Sequence, residues 1–278
     1  MVTSLAPSEP EFILPDLSSL PDDLLAGLWS AMQEPRLWFV FAVSLIGGVV
    51  RGYSGFGGAL IVIPLAAMTL GPVIAVPMFY LFDLGSATPY GYKSLPQCRW
   101  AQVTPMLAGH LLMLPVGVWL LTNLRSDTVR WAMAGTVFLM LALLVSGWRY
   151  RGRPNPPASF GVGIVAGVMG SSTGISGPPI IAYWLGQKDN AAVIRTNIMA
   201  YYALSSTAMD ALLWWRGLFT WQVVLYAIVI WPAYALGLWG GAKLFHRSSE
   251  RFFRISAYVL ILISAIISLP LMDRFMVR

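Results

Sequence analysis

Two stretches of this chain place residues capable of chemistry inside otherwise apolar sequence. Gly47–Leu65 reads GGVVRGYSGFGGALIVIPL, and Ala166–Trp184 reads AGVMGSSTGISGPPIIAYW. They lie 119 residues apart and repeat one another. Between Gly48–Ile61 and Gly167–Ile180, five of fourteen positions are identical: Gly48/Gly167, Val49/Val168, Gly55/Gly174, Gly58/Gly177 and Ile61/Ile180. Ser54/Thr173 and Phe56/Ile175 are similar. The chemistry these residues suit is the binding of a small anion. Non-helical backbone survives at membrane depth only inside protein or beside water. Glycine lets the chain turn there and lets a ligand approach the backbone. A helix restarting after the break presents free N–H donors and the positive end of its dipole. In the first stretch, Gly57 and Gly58 lead into such a helix at Ala59. In the second, Ser176 stands at a capping position, with Pro178 or Pro179 in the first turn. Tyr53, Ser54, Ser171, Ser172, Thr173 and Ser176 add hydroxyls. The plainer alternative is close helix packing through small residues. It accounts for the glycines but not for the Pro, Ser and Thr at the tips.

Charges inside apolar segments cost several kcal/mol and need a reason. Arg195, in AAVIRTNIMAYYA, follows the second break closely and can hold an oxyanion in its guanidinium fork. Arg51 sits at the first break and can do the same, or can snorkel to the membrane surface. Asp83 and Asp210 lie within predicted spans. Each is either a proton-coupling carboxylate or an arginine's partner, and pairing is the cheaper explanation. Tyr201 and Tyr202 can line a cavity, whereas Trp214, Trp215, Trp221, Trp231 and Trp239 mark membrane interfaces. Nothing here makes an enzyme. Cys98 is the lone cysteine, His110 and His246 are isolated, and there is no phosphate-binding loop or clustered acid and base. No cofactor and no metal are expected.

The elements that must position these residues are membrane helices. Of the 278 residues, 57% are hydrophobic and 11% charged, against about 25% charged in a soluble domain. The first broken unit, Leu37–Leu70, has a long limb to about Tyr53. Its second limb, Ala59–Leu70, spans roughly 18 Å, short of the roughly 30 Å hydrocarbon core. Apolar segments follow near Pro72–Tyr92, Ala101–Leu121 and Val129–Trp148. The second half repeats the plan, with a broken unit at Phe160–Gly186 and segments at Asn190–Trp215, Trp221–Leu244 and Phe252–Met272. The expected fold is an all-α polytopic membrane protein of two inverted repeats. Each repeat is a broken or re-entrant helix pair plus three transmembrane helices. The predicted organisation is an acidic tail over residues 1–35, a first repeat over 36–150, a basic linker over 151–158 and a second repeat over 159–278. In the tail, a helix from Asp22 or Asp23 through Gln33 puts Leu24, Leu25, Leu28, Trp29 and Met32 on one face, suited to lying on the membrane surface.

Loop charge supports inversion. The tail holds six of the acidic residues, and all 18 basic ones follow it. Placing Arg149, Arg151 and Arg153 in the cytoplasm, with broken pairs that go in and return, brings Lys93, Arg99, Lys188, Lys243 and Arg247 inside. Arg125, Asp127, Arg216 and the acidic tail then face out. The basic balance sets topology, and no nucleic-acid partner is implied.

The pattern GYSGFGGALIVIP, its echo SSTGISGPPIIAYW and the following IRTN resemble the sulfite exporter TauE/SafE family, also called toluene sulfonate uptake permeases. The resemblance runs from about Val43 to Leu269. It implies a multi-pass carrier of the bacterial inner membrane for sulfite, sulfoacetate or other organosulfonates. It also implies functional roles for Ser54, Gly55, Phe56, Gly57 and Gly58, and for Thr173, Gly174, Ser176, Gly177, Pro178 and Arg195. Arg51 and the Pro178–Pro179 pair match no family rule and rest on the physical argument alone. The leading expectation is a secondary exporter that binds a small anion at paired helix N-termini. The alternatives are an anion channel on the same tips, a carrier of another small organic anion, and a membrane enzyme or assembly subunit. Expected partners are the anion, the lipid bilayer and, as a default for a small carrier, a second copy of the chain.

Overall fold

The two glycine-rich breaks interrupt the chain at equivalent residues. In the computed structural model, which describes residues 20–54, 57–86, 88–147, 155–184, 190–245 and 250–272, helix α2 (Pro35–Ser54) ends and α3 (Gly58–Leu70) begins across the first break. Helix α8 (Pro156–Thr173) ends and α9 (Gly177–Trp184) begins across the second. Ser54 aligns with Thr173 and Gly58 with Gly177, so the sequence repeat is a repeat of helix ends. The intervening limbs are short. At 1.5 Å per residue, α3 is about 20 Å and α9 about 12 Å long.

The other helices follow the apolar segments of the sequence, except that Pro72–Tyr92 holds two helices where one was expected. α1 (Leu20–Met32) precedes the first pair. α4 (Pro72–Ser86), α5 (Thr88–Tyr92), α6 (Trp100–Asn123) and α7 (Ser126–Ser146) complete the first half, and α10 (Ala191–Trp215), α11 (Trp221–Phe245) and α12 (Glu250–Ile267) complete the second. All regular structure among the described residues is helical, as the sequence predicts. Four helices there are long and apolar enough to cross a membrane: Pro35–Tyr53, Trp100–Asn123, Ser126–Ser146 and Trp221–Leu244. α10 has the length, at 25 residues, but not the composition. Arg195, Asn197, Ser205, Ser206, Thr207 and Asp210 make it the polar helix of the bundle. Residues 1–19 of the acidic tail, the first half of the basic linker (151–154), Lys188, His246 and Arg247 lie outside the described residues.

Packing partners exchange between the halves. α2 lies along α11, and its counterpart α8 lies along α6; α4 meets α11 as α10 meets α6, and α3 meets α12 as α9 meets α7. Glycine makes the two main contacts possible. A side chain on Gly48 or Gly52 would strike the backbone of α11, and one on Gly237 or Gly241 would strike α2. Gly109, Gly163 and Gly167 do the same between α6 and α8. Small residues let backbones approach where lipid supplies no hydrophobic drive between helices. The packing alternative therefore describes the glycines within α2 and α8, while those at the breaks do something else.

α1 divides its apolar face. Leu24 and Leu28 pack on the core, and Gly27 sits against Leu225 of α11. Leu25 and Trp29 point outward, 65% and 68% exposed, as a helix at the lipid surface requires. Trp38, Trp100, Trp119, Trp131, Trp214, Trp215 and Trp239 are also exposed, the distribution of aromatic rings facing lipid.

Candidate functional site

The breaks turn on glycine. Gly57 has φ 96° and Gly174 φ 76°, both in the left-handed region that side chains with a Cβ avoid. Gly174 also leaves no room for a Cβ, since Ile63 of α3 and Val76 of α4 lie against it. The second break is thereby seated on the first half of the chain.

The two tips differ in what they donate. At α3, the first intrahelical bond runs from Leu60 N–H to Gly57 C=O at 3.1 Å, leaving the Gly58 and Ala59 N–H groups ahead of it. At α9, Pro178 and Pro179 have no N–H to give, so within the first turn only Gly177 keeps a donor. The same prolines that cost the helix nothing also cost a bound anion two hydrogen bonds.

A cavity of about 70 Å³ lies between the tips, room for several water-sized groups. Gly57, Ala59 and Leu60 line it from the first break, and Gly174, Ile175, Ser176 and Gly177 from the second. Arg51 reaches it from α2, Tyr80 and Asp83 from α4, and Tyr202, Ser205 and Ser206 from α10. A larger cavity of about 480 Å³ adjoins it. The two share Arg51, Asp83, Tyr202 and Ser206. The larger one runs past Trp231, Trp239 and Ala242 of α11 and past Arg195.

Arg51 does not snorkel. Its Nη2 donates to Asp83 Oδ2 at 3.0 Å, and Tyr234 Oη donates to Asp83 Oδ1 at 3.0 Å. A Cβ placed on Gly58 would stand 3.1 Å from the Arg51 Cβ, the Tyr234 hydroxyl and the Gly47 carbonyl, so the start of α3 packs closely against the base of the Arg51 side chain. A guanidinium has five N–H donors, so one bond to Asp83 leaves others for a ligand. Asp210 is different: it is 6% exposed, and neither carboxylate oxygen has a hydrogen-bond partner among the described residues. The pairing expected of both aspartates is seen only at Asp83.

Other predicted site residues are placed less centrally. Arg195 is exposed on α10 and lines only the larger cavity. Ser171 donates to the Gly167 carbonyl, Ser172 to Val168 at 2.6 Å and Thr173 to Met169 at 2.7 Å. Those three hydroxyls spend their protons on their own helix. Tyr53 is buried and lines neither cavity. Ser54 is the last residue of α2; its side chain, together with Gly55 and Phe56, lies outside the described residues. Tyr201 is buried, with its hydroxyl 2.6 Å from His110 Nδ1. Trp231 and Trp239, read as interface markers, both line the larger cavity, and Trp231 donates to Ser86 Oγ at 2.9 Å.

Sequence reasoning passes over Tyr80, Ser205, Ser206 and Tyr234. The first three carry a signal, being polar residues within a turn of Asp83 or Tyr202. Tyr234 carries none, because only packing brings α11 to Asp83. Asn197, from IRTN, is fully buried; its Oδ1 accepts from Arg99 N–H at 2.8 Å and its Nδ2 donates to Gln102 at 2.8 Å. That residue ties α10 to the start of α6.

Comparison with known proteins gives two matches. The family described as Sulfite exporter TauE/SafE matches residues 40–267. A protein of Cupriavidus necator described as "Probable sulfite/organosulfonate exporter TauE" is 25% identical over 236 residues, covering 81% of this chain and 90% of the relative. No solved structure matches.

Proposed function

The chain belongs to the sulfite exporter TauE/SafE family, which makes it a multi-pass transporter of the bacterial inner membrane and not an enzyme, and from that premise we propose that it exports sulfite or an organosulfonate by alternating access. The observation that carries this reading is the cavity shared by both breaks and Arg51. A sulfonate or sulfite is a small oxyanion. The Gly58 and Ala59 N–H groups, the positive ends of α3 and α9, the Ser176 hydroxyl and the free donors of Arg51 can surround it. Asp83 keeps the empty site neutral overall, so an arriving anion is the charge that unbalances it.

The exchange of packing partners between halves suits two repeats related by a two-fold axis, and loop charge argues for an axis in the membrane plane. In that arrangement the larger cavity opens toward the basic, cytoplasmic side, where Arg195 and Lys243 lie. Such a chain captures its anion from inside and releases it when the repeats rock past one another.

The test is thermal stabilisation of purified protein by sulfite, sulfoacetate, isethionate, taurine, sulfate and acetate. Ligands that bind only the folded form raise the melting temperature. Stabilisation by anionic sulfonates but not zwitterionic taurine is expected. No shift with any of them would remove the sulfur-anion assignment and leave the transporter fold standing.

A further inference from the structure

We propose that Asp210 is the proton-binding residue of a proton-coupled export cycle. The inference rests on the carrier reading above. Asp210 is on α10, one helical turn beyond Ser206, which lines both cavities. Asp83 is on α4, which packs against α10, and lines both cavities as Ser206 does. Tyr80, also on α4, lines the smaller cavity. Asp210 is therefore next to the anion site but outside its lining.

Elements packed against α10 bring several titratable or charged groups near it, and the following are engaged elsewhere. From α4, Asp83 holds Arg51 and accepts from Tyr234. From α5, Tyr92 is bonded to Thr207 at 2.7 Å. From α6, His110 is bonded to Tyr201, and from α9, Tyr183 is bonded to Ser159 at 2.7 Å. Tyr80 of α4 is a further one. Arg195 begins the same helix, roughly 22 Å away at 1.5 Å per residue. A buried carboxylate with no hydrogen-bond donor among the described residues is expensive as an anion, and a proton is the smallest ligand that neutralises it.

Position along α10 gives the direction. Arg195 and the larger cavity lie toward the start of the helix, and Trp214, Trp215 and Arg216 lie at its end. With the loop-charge topology, Asp210 is on the closed, outer side of the anion site. Rocking the repeats opens that side, exposes Asp210 to external protons and releases the anion. Proton inward and anion outward then share one cycle, the proton moving from external water to an Asp210 oxygen and on to the cytoplasm.

The experiment uses full-length protein in proteoliposomes loaded with labelled sulfoacetate. Wild type, Asp210→Asn and Asp210→Glu are each measured in counterflow at equal pH and in net efflux with the outside made acidic. A pH step of one unit is worth about tenfold in the transmembrane ratio per coupled proton. Wild type and Asp210→Glu should respond to the acid step. Asp210→Asn should lose the response and keep its counterflow. A response retained in Asp210→Asn overturns the proposal, as does loss of counterflow together with the response, which would make Asp210 structural. Wild-type counterflow without any pH response overturns the proton site alone. No counterflow in wild type overturns the carrier reading and this inference with it.

Discussion

Arg51 is the residue whose role changes most between a linear reading and a folded one. In sequence it is a basic residue next to a glycine; in the structure it is an ion-paired group facing both cavities. Removing one partner of a buried pair strands the other, at about 3–5 kcal/mol. Arg51→Ala should lower the melting temperature and abolish stabilisation by sulfonates. Arg51→Ala with Asp83→Asn should recover much of the melting temperature without recovering ligand stabilisation, which separates the binding role from the structural one. Arg195→Ala should leave the melting temperature unchanged, because the side chain is exposed, and should weaken anion capture more at low salt than at high salt, because exposed charges act through a screened field. Anion uptake measured at two ionic strengths checks it.

At the scale of the element, glycines serve two separate ends. Those within α2, α6, α8 and α11 bring backbones together, and those at the breaks turn the chain. The two classes should fail differently. Gly241→Leu forces a side chain into the Val49 backbone of α2; overpacking of this kind costs about 1–3 kcal/mol or more, so thermal stability in detergent should fall. Gly58→Ala adds one methyl where the Arg51 Cβ, Tyr234 hydroxyl and Gly47 carbonyl already stand at 3.1 Å. It should reduce anion binding with a smaller loss of stability. A ranking in which Gly58→Ala melts lowest would mean that the tip of α3 is chiefly a packing element.

The whole molecule can be tested through its topology. Single cysteines at Lys93 or Lys243 should be shielded from an impermeant maleimide in intact cells. Cysteines at Arg125 or Arg216 should react. Cys98 is buried, and replacing it with Ser gives a clean background. Arg125 and Asp127 are well exposed, at 88% and 58% of their side chains, so labelling there is limited by the membrane and not by the fold. Reaction of the Lys93 and Lys243 positions from opposite sides would contradict the odd number of crossings per half on which inversion depends.

Much of this protein was legible in one dimension. Apolar run length located most of the helices, and the 119-residue repeat located both breaks to within about one residue, because ending a helix in lipid demands glycine, proline or a hydroxyl at that point. The anion chemistry followed from helix ends, a property of backbone and not of partners. Tertiary structure decided the rest. Which arginine faces the tips depends on α2 and α4 meeting, so Arg51 and Asp83, 32 residues apart, could be paired only in three dimensions. Tyr234 joins them from α11, a helix whose own sequence carries no trace of the contact. The donors lost to Ser171, Ser172 and Thr173 are lost to carbonyls one turn back, a choice of rotamer that composition does not reveal. Asp210 stands apart for the same reason: a carboxylate within a predicted span reads identically whether it has a partner or not, and only packing leaves it without a hydrogen-bond partner among the described residues.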